Sequence, residues 1–172
     1  MPTQQQIQFM DAAIDQAKQA ALLDEVPIGA VVVYHGQIIG AGHNMRERFN
    51  DATYHAEMLA IEEACTARHS WRLLDCDLYV TLEPCIMCSG AIINARLRHL
   101  YYGAPDKKAG GVSSLYHLLD DDRLNHQVGV SAGLCADQCS QLLKSFFKAA
   151  RQRHKAAKRK QRRLQSGENA GN

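Results

Sequence analysis

Three soft metal ligands and one spare carboxylate stand at two places in this chain: His55-Ala56-Glu57 and, 27 residues after Glu57, Pro84-Cys85-Ile86-Met87-Cys88. One imidazole and two thiols can bind zinc at three corners of a tetrahedron. The fourth corner is then open to water, as in a catalytic site and unlike a closed structural one. Zinc brings the pKa of such a water from about 16 toward roughly 7, so hydroxide is available at neutral pH. Glu57 is not needed as a ligand and can take the water's proton and pass it on. The four residues together describe hydrolysis at an electron-poor carbon. Glu83 is the nearest rival acid; it precedes the cysteines and reads as a supporting residue.

The elements that must position these groups are legible from periodicity. Ile7, Met10, Ile14, Ala17 and Ala21 recur at spacings of 3 and 4, one face of a helix, with Thr3 as cap and Gln6 at the capping-box position. β-branched runs at 30–34 and 37–40 flank His35-Gly36 and read as a hairpin. Residues 43–54 are polar and loop-like. A second helix is expected from His55 to about Arg68, a strand over Asp77–Leu82, and a third helix opening at Pro84 and running to about Ala95. Arg98–Gly103 is another strand. Lys108–Val112, with two adjacent glycines, reads as a mobile loop and Ser113–Leu119 as a short helix. Val128–Val130 is a last strand. A long helix from about Ala136 carries Leu142, Leu143, Phe146 and Phe147 toward the core and then turns wholly basic. Helices alternating with strands argue for an α/β fold with helices on both faces of a mixed sheet. Both ligand motifs fall at helix N-termini, where the dipole and free N–H groups favour thiolates. Cys85 and Cys88 are one turn apart, so both sulfurs can face one metal.

At 172 residues the chain is long enough for a single domain with a real core. The expected division is a catalytic domain over 1–150, a basic helical extension over 151–163 and a disordered tail over 164–172. No apolar run approaches the ~20 residues of a membrane helix, and the first residues lack the features of a signal peptide, so a cytoplasmic protein is expected. Its six cysteines are then thiols or ligands and not a disulfide framework, with Cys65 and Cys76 read as small buried hydrophobes. The net charge of +2 hides a division. Residues 1–143 carry 10 Lys and Arg against 17 Asp and Glu, whereas residues 144–163 carry 10 Lys and Arg and no acid. Such a cluster implies an anionic partner, most simply nucleic acid.

H-x-E followed by P-C-x-x-C is the signature of zinc-dependent nucleobase deaminases. The chain resembles the bacterial tRNA-specific adenosine deaminases over roughly residues 5–160. The likeness rests on Glu25–Ala30, Gly42-His43-Asn44, His55–Glu57, Leu78–Cys85, Gly103–Asp106 and Phe146-Phe147 before a basic tail. It implies a three-layer α/β/α sandwich on a mixed, mostly parallel five-stranded sheet (cytidine deaminase-like), one Zn2+ per subunit on His55, Cys85 and Cys88, and Glu57 as proton carrier. It implies deamination of adenosine to inosine at wobble position 34 of a tRNA, an arginine tRNA, read in the anticodon loop by a homodimer. Asn44 is expected to touch the target nucleoside and Asp106 the neighbouring nucleotide. The Ala56 backbone can reach a base edge, and Val26-Pro27-Ile28 can wall the flipped base. Lys107, Lys148, Arg151, Arg153 and Lys155 are candidate phosphate contacts. Two positions depart from the family pattern: His43 where a tryptophan is usual, and Pro105 where an arginine is.

Two other readings remain open from the residues alone. The zinc motif also serves deaminases of free bases or nucleosides, of cytosine or guanine type. Alternatively Cys135 and Cys139, four apart on a helix, could join Cys85 and Cys88 in a closed four-thiolate site of a non-enzymatic RNA-binding protein.

Overall fold

Thr3 and Gln6 close the capping box expected of them. Thr3 Oγ1 accepts from the Gln6 N–H at 3.2 Å, and Gln6 Oε1 accepts from the Thr3 N–H at 2.8 Å. The helix they start, α1 (Gln4–Leu22), buries Met10, Ala13, Ile14, Ala17 and Ala20. The structure, a computed structural model, describes residues 1–168. The hairpin follows as β1 (Gly29–Tyr34) and β2 (Gln37–His43). Its turn residues His35 and Gly36 have φ of 46° and 80°. Two positive φ values make a type I′ turn, whose twist matches the strands it joins.

Within the segment read as loop, Arg46–Phe49 forms a single helical turn, α2. Its otherwise unpartnered Arg48 N–H donates to the Glu25 carboxylate at 2.7 Å, so a distant acid starts this turn. Helix α3 (Ala56–Arg68) has His55 at its N-cap; α4 (Ile86–Asn94) has Cys85 at its N-cap and so starts two residues later than the expected Pro84. Between them lies β3 (Cys76–Leu82); after them come β4 (His99–Ala104), β5 (Gly129–Ala132) and α5 (Ala136–Glu168).

The sheet order is β2-β1-β3-β4-β5. β1 is antiparallel to both β2 and β3, while β3–β4 and β4–β5 are parallel. Only β1 is therefore reversed, and the sheet is mixed as expected. One face packs on α3 and α4 through Ala56, Ala60, Ile61, Ala64, Ile92 and Ile93. The other packs on α1 and the start of α5 through Met10, Ala13, Ile14, Leu134 and Cys139. That is the three-layer sandwich. Burying each Ile or Leu of such a core is worth ~1.5–3 kcal/mol.

Ala56, Ala60 and Ala64 form a stripe of small residues that lets α3 lie almost on the β2 backbone. A Cβ at Gly42 would come within 2.4 Å of the Ala56 carbonyl oxygen, so this contact requires glycine. The closeness fixes the helix end that bears His55 and Glu57.

Two expectations fail around residues 108–119. The span is neither a mobile loop followed by a helix nor free of the core: it is a series of turns, with Gly110, Gly111 and Val112 buried. The cause is Glu83. Its carboxylate accepts from the N–H groups of Asp106 (2.9 Å), Val112 (3.2 Å), Ser113 (2.8 Å) and Ser114 (2.9 Å), and from the Ser114 hydroxyl. Amides that converge on one carboxylate cannot also make helix bonds. A Cβ at Gly110 would meet that carboxylate at 2.4 Å.

Helix α5 runs without a break across both expected boundaries, at 150/151 and 163/164, to Glu168. Residues 169–172 of the expected tail lie outside the described residues. Leu142 and Leu143 are only half-buried, and Phe147 remains 44% exposed, so this helix enters the core less than its apolar residues predict. Among the described residues no helix is long and apolar enough to cross a membrane.

Candidate active site

The two N-caps meet. His55 has an extended backbone at the start of α3, as Cys85 has at the start of α4, and neither side chain bonds its own helix. Both are free to turn toward one another. The His55 Nδ1 stands 3.7 Å from Cys85 Sγ and 3.5 Å from Cys88 Sγ. Tetrahedral zinc with Zn–S of ~2.3 Å and Zn–N of ~2.0–2.1 Å separates N and S by roughly 3.5 Å, so the donor set fits that ion. The ligand atoms lie within 4.8 Å of one another, and among the described residues no other group of His, Cys, Asp and Glu does so.

The electrostatics favour a thiolate at Cys85 hydrogen-bonded by a Cys88 thiol. The hydrogen bond from Cys88, helped by that from His55, holds the Cys85 thiol down at about 4 against the effect of burial. The same Cys85 contact, with burial, pushes Cys88 up. The proton therefore resides on Cys88 and is the one a divalent ion would displace. The Cys85 contact also raises His55. Glu57, 4% exposed in the first turn of α3, is pushed up to about 7 by burial.

The remaining cysteines have other surroundings. Burial pushes Cys76 to about 11 and Cys139 to about 12, the state of an inert thiol. Cys135 and Cys139 pack in the α1-side core. They do not join Cys85 and Cys88, which removes the four-thiolate alternative. Cys76 is buried as expected, and Cys65 is half-buried with its thiol 3.8 Å from the Trp71 carbonyl.

A cavity of about 540 Å³ opens above the triad, within the range of small-molecule sites. His55, Glu57 and Cys85 reach it, with Asn44, Val26, Ile28, Asp106 and Lys107 around them. Ala56 is fully buried beneath β2, and Pro27 is buried behind its neighbours; neither lines the cavity. Asp106 spends Oδ1 on the N–H groups of Lys108 and Ala109, at 2.9 and 3.2 Å, so its carboxylate also shapes its own turn. Lys148, Arg151 and Lys155 are exposed on α5, and Arg153 reaches Asp24 at 3.2 Å. Of the two departures, Pro105 lines the cavity, whereas His43 bonds Gln16 of α1 at 2.9 Å.

Several cavity residues escape a reading of the sequence. Arg46, Leu82, Leu143 and Phe147 also line it. Leu143 and Phe147 carried a signal, being one turn apart on an amphipathic helix. Glu25 is 1% exposed and accepts from Asn44 Nδ2 at 3.1 Å; its only local mark is an acid directly before the apolar Val26-Pro27-Ile28.

Comparison with known proteins agrees with this geometry. The MafB19-like deaminase family matches residues 4–151. A tRNA-specific adenosine deaminase of Streptococcus pyogenes serotype M1 is 51% identical over 155 residues, covering 90% of this chain and 91% of its own. That of Bacillus subtilis is 46% identical, covering 88% and 94%. A structure from studies of A-to-I editing by tRNA:A34 deaminases at the wobble position of transfer RNA superposes with a TM-score of 0.76 at 44% identity. It covers 79% of this chain and 99% of that one. A shared fold, identities of 44–51% and coverage of most of each chain place it among these proteins: the chain belongs to the tRNA-specific adenosine deaminase family.

Proposed function

We propose that the chain hydrolyses adenosine to inosine in tRNA, at position 34 of an arginine tRNA, with one zinc ion per subunit. The observation that carries this reading is the His55, Cys85 and Cys88 triad with a buried, unliganded Glu57 beside it, opening on a cavity of about 540 Å³. His55 Nδ1 and the two sulfurs would hold the metal. Zinc, when bound, makes hydroxide available near neutral pH.

The residues of the chain do the rest. Glu57 takes one proton of the attacking water and gives it to N1 of the purine as C6 becomes tetrahedral. It then takes the remaining hydroxyl proton and gives it to the amine, so the C6–N bond breaks, the C6 carbonyl forms and ammonia leaves. A positioned acid–base of this kind contributes about 10²–10⁴-fold. Val26, Ile28 and Leu82 offer apolar walls to a base, while Asn44 supplies polar contact. An adenine stacked in a helix cannot enter such a cavity, which favours the splayed bases of an anticodon loop. Lys107 at the mouth and the basic face of α5, with Lys148, Arg151, Arg153 and Lys155, supply cations for the phosphates. The reading includes a homodimer and a cytoplasmic location, both by likeness to the family.

Incubation of the metal-loaded protein with total tRNA, followed by mapping of new inosine, tests it. Inosine confined to position 34 of an arginine tRNA is the expected result. A folded, zinc-loaded sample that makes no inosine in any tRNA but deaminates free guanine or cytosine overturns it in favour of a free-base deaminase.

A further inference from the structure

We propose that Glu25 is a positioning residue that decides which end of the Asn44 amide faces the substrate; the proposal rests on the deaminase reading above. Glu25 lies just before β1 and Asn44 just after β2, 19 residues apart in sequence and adjacent in space. The Glu25 side chain is 1% exposed, and both of its oxygens are used. Oε2 accepts from Asn44 Nδ2 at 3.1 Å, and Oε1 accepts from the Arg48 N–H at 2.7 Å.

A carboxylate only accepts, whereas a primary amide has one accepting and one donating end. Against Glu25, Asn44 must turn its NH2 inward. Its Oδ1 takes no hydrogen bond from the described residues, yet no buried side-chain oxygen is left without a partner. That oxygen therefore reaches the cavity Asn44 lines. The cavity wall thus presents a fixed acceptor, suited to a donor on the nucleoside such as a ribose hydroxyl or a ring N–H. Because the Glu25 partners are Asn44 and Arg48, and neither is a triad residue or Glu57, the effect belongs to substrate binding and not to the chemical step.

Replacement of Glu25 by its isostere separates this from a packing role. In E25Q the glutamine oxygen keeps the Arg48 bond and its NH2 faces Asn44, so the asparagine flips and shows a donor to the cavity. Loss of one hydrogen bond predicts about a tenfold rise in KM for an anticodon stem-loop, with kcat within about threefold of the parent. The exchange E25Q/N44D keeps every hydrogen bond with donor and acceptor swapped and still shows an oxygen to the cavity. It returns KM to within about threefold. In an N44A background E25Q changes KM less than about twofold, because its route of action is gone.

A parental KM in E25Q overturns the proposal, as does an equal E25Q effect with and without Asn44. The Asn44 side-chain amide gives a readout independent of turnover. Its protons exchange slowly with solvent in the parent and faster in E25Q; unchanged exchange also overturns the proposal. A parent enzyme that makes no inosine would refute the functional reading instead, and the amide exchange would still decide the role of Glu25.

Discussion

In the proposed mechanism a histidine and a cysteine, each at a helix N-cap, would hold the metal and an unliganded acid would carry the proton. Glu57→Gln is expected to retain one zinc per chain by metal analysis while turnover falls about 10²–10⁴-fold. Cys85→Ser removes one of three donors and is expected to lose both metal and activity, with Tm lowered because metal affinity couples to folding. These residues were legible because ligand spacing is local: Cys85 and Cys88 share one helical turn. The meeting of His55 with Cys85, across 30 residues, followed from the family resemblance and not from spacing, since it depends on α3 and α4 packing under one sheet. Glu25 was less visible still. Nothing in its neighbours announces that a strand pair brings it to Asn44.

At the scale of elements, a buried carboxylate and a backbone contact hold the site in place. The sequence marks Glu83 as a supporting residue but carries no sign of the turns it imposes on 106–114. The local pattern there favoured a helix, and five tertiary hydrogen bonds to one side chain override it. Glu83→Ala orphans the buried Val112 amide, at about 1–3 kcal/mol, and three part-buried amides at less each. A clear drop in Tm and loss of activity with zinc present are expected, and an unchanged melting curve would refute the role. At β2, Gly42→Ala drives a methyl toward the Ala56 carbonyl and is expected to displace α3. Activity should fall even in the soluble, folded fraction. Acid should also loosen the sheet. Burial lowers the pKa of both His43 and His99 below 6.5, so their stabilising neutral forms are present above that value and are lost as pH falls through the lowered pKa. In paired thermal melts at about pH 7.5 and 5, the Tm of the parent relative to His99→Asn should fall at the lower pH.

For the whole molecule, the charge division survives folding. The acidic majority of the chain makes the sandwich, and the basic segment is an exposed helical face continuous with it. Deleting residues 151–172 is expected to abolish or strongly weaken deamination of RNA while sparing turnover of free adenosine. Equal loss on both substrates would show that the segment serves folding instead. Binding of the intact chain to an anticodon stem-loop should weaken steeply with salt, and the deletion should flatten that slope.

Helix α5 is one uninterrupted rod, and the Phe147 and Leu143 that edge the cavity sit on the same rod as the outer cations. From Phe147 to Arg162 the axis advances about 22 Å. The distal cations are thus held at a set reach from the mouth, like marks on a gauge. A polymer must be long enough to touch both marks to gain from them, so a nucleoside by itself is measured and found short.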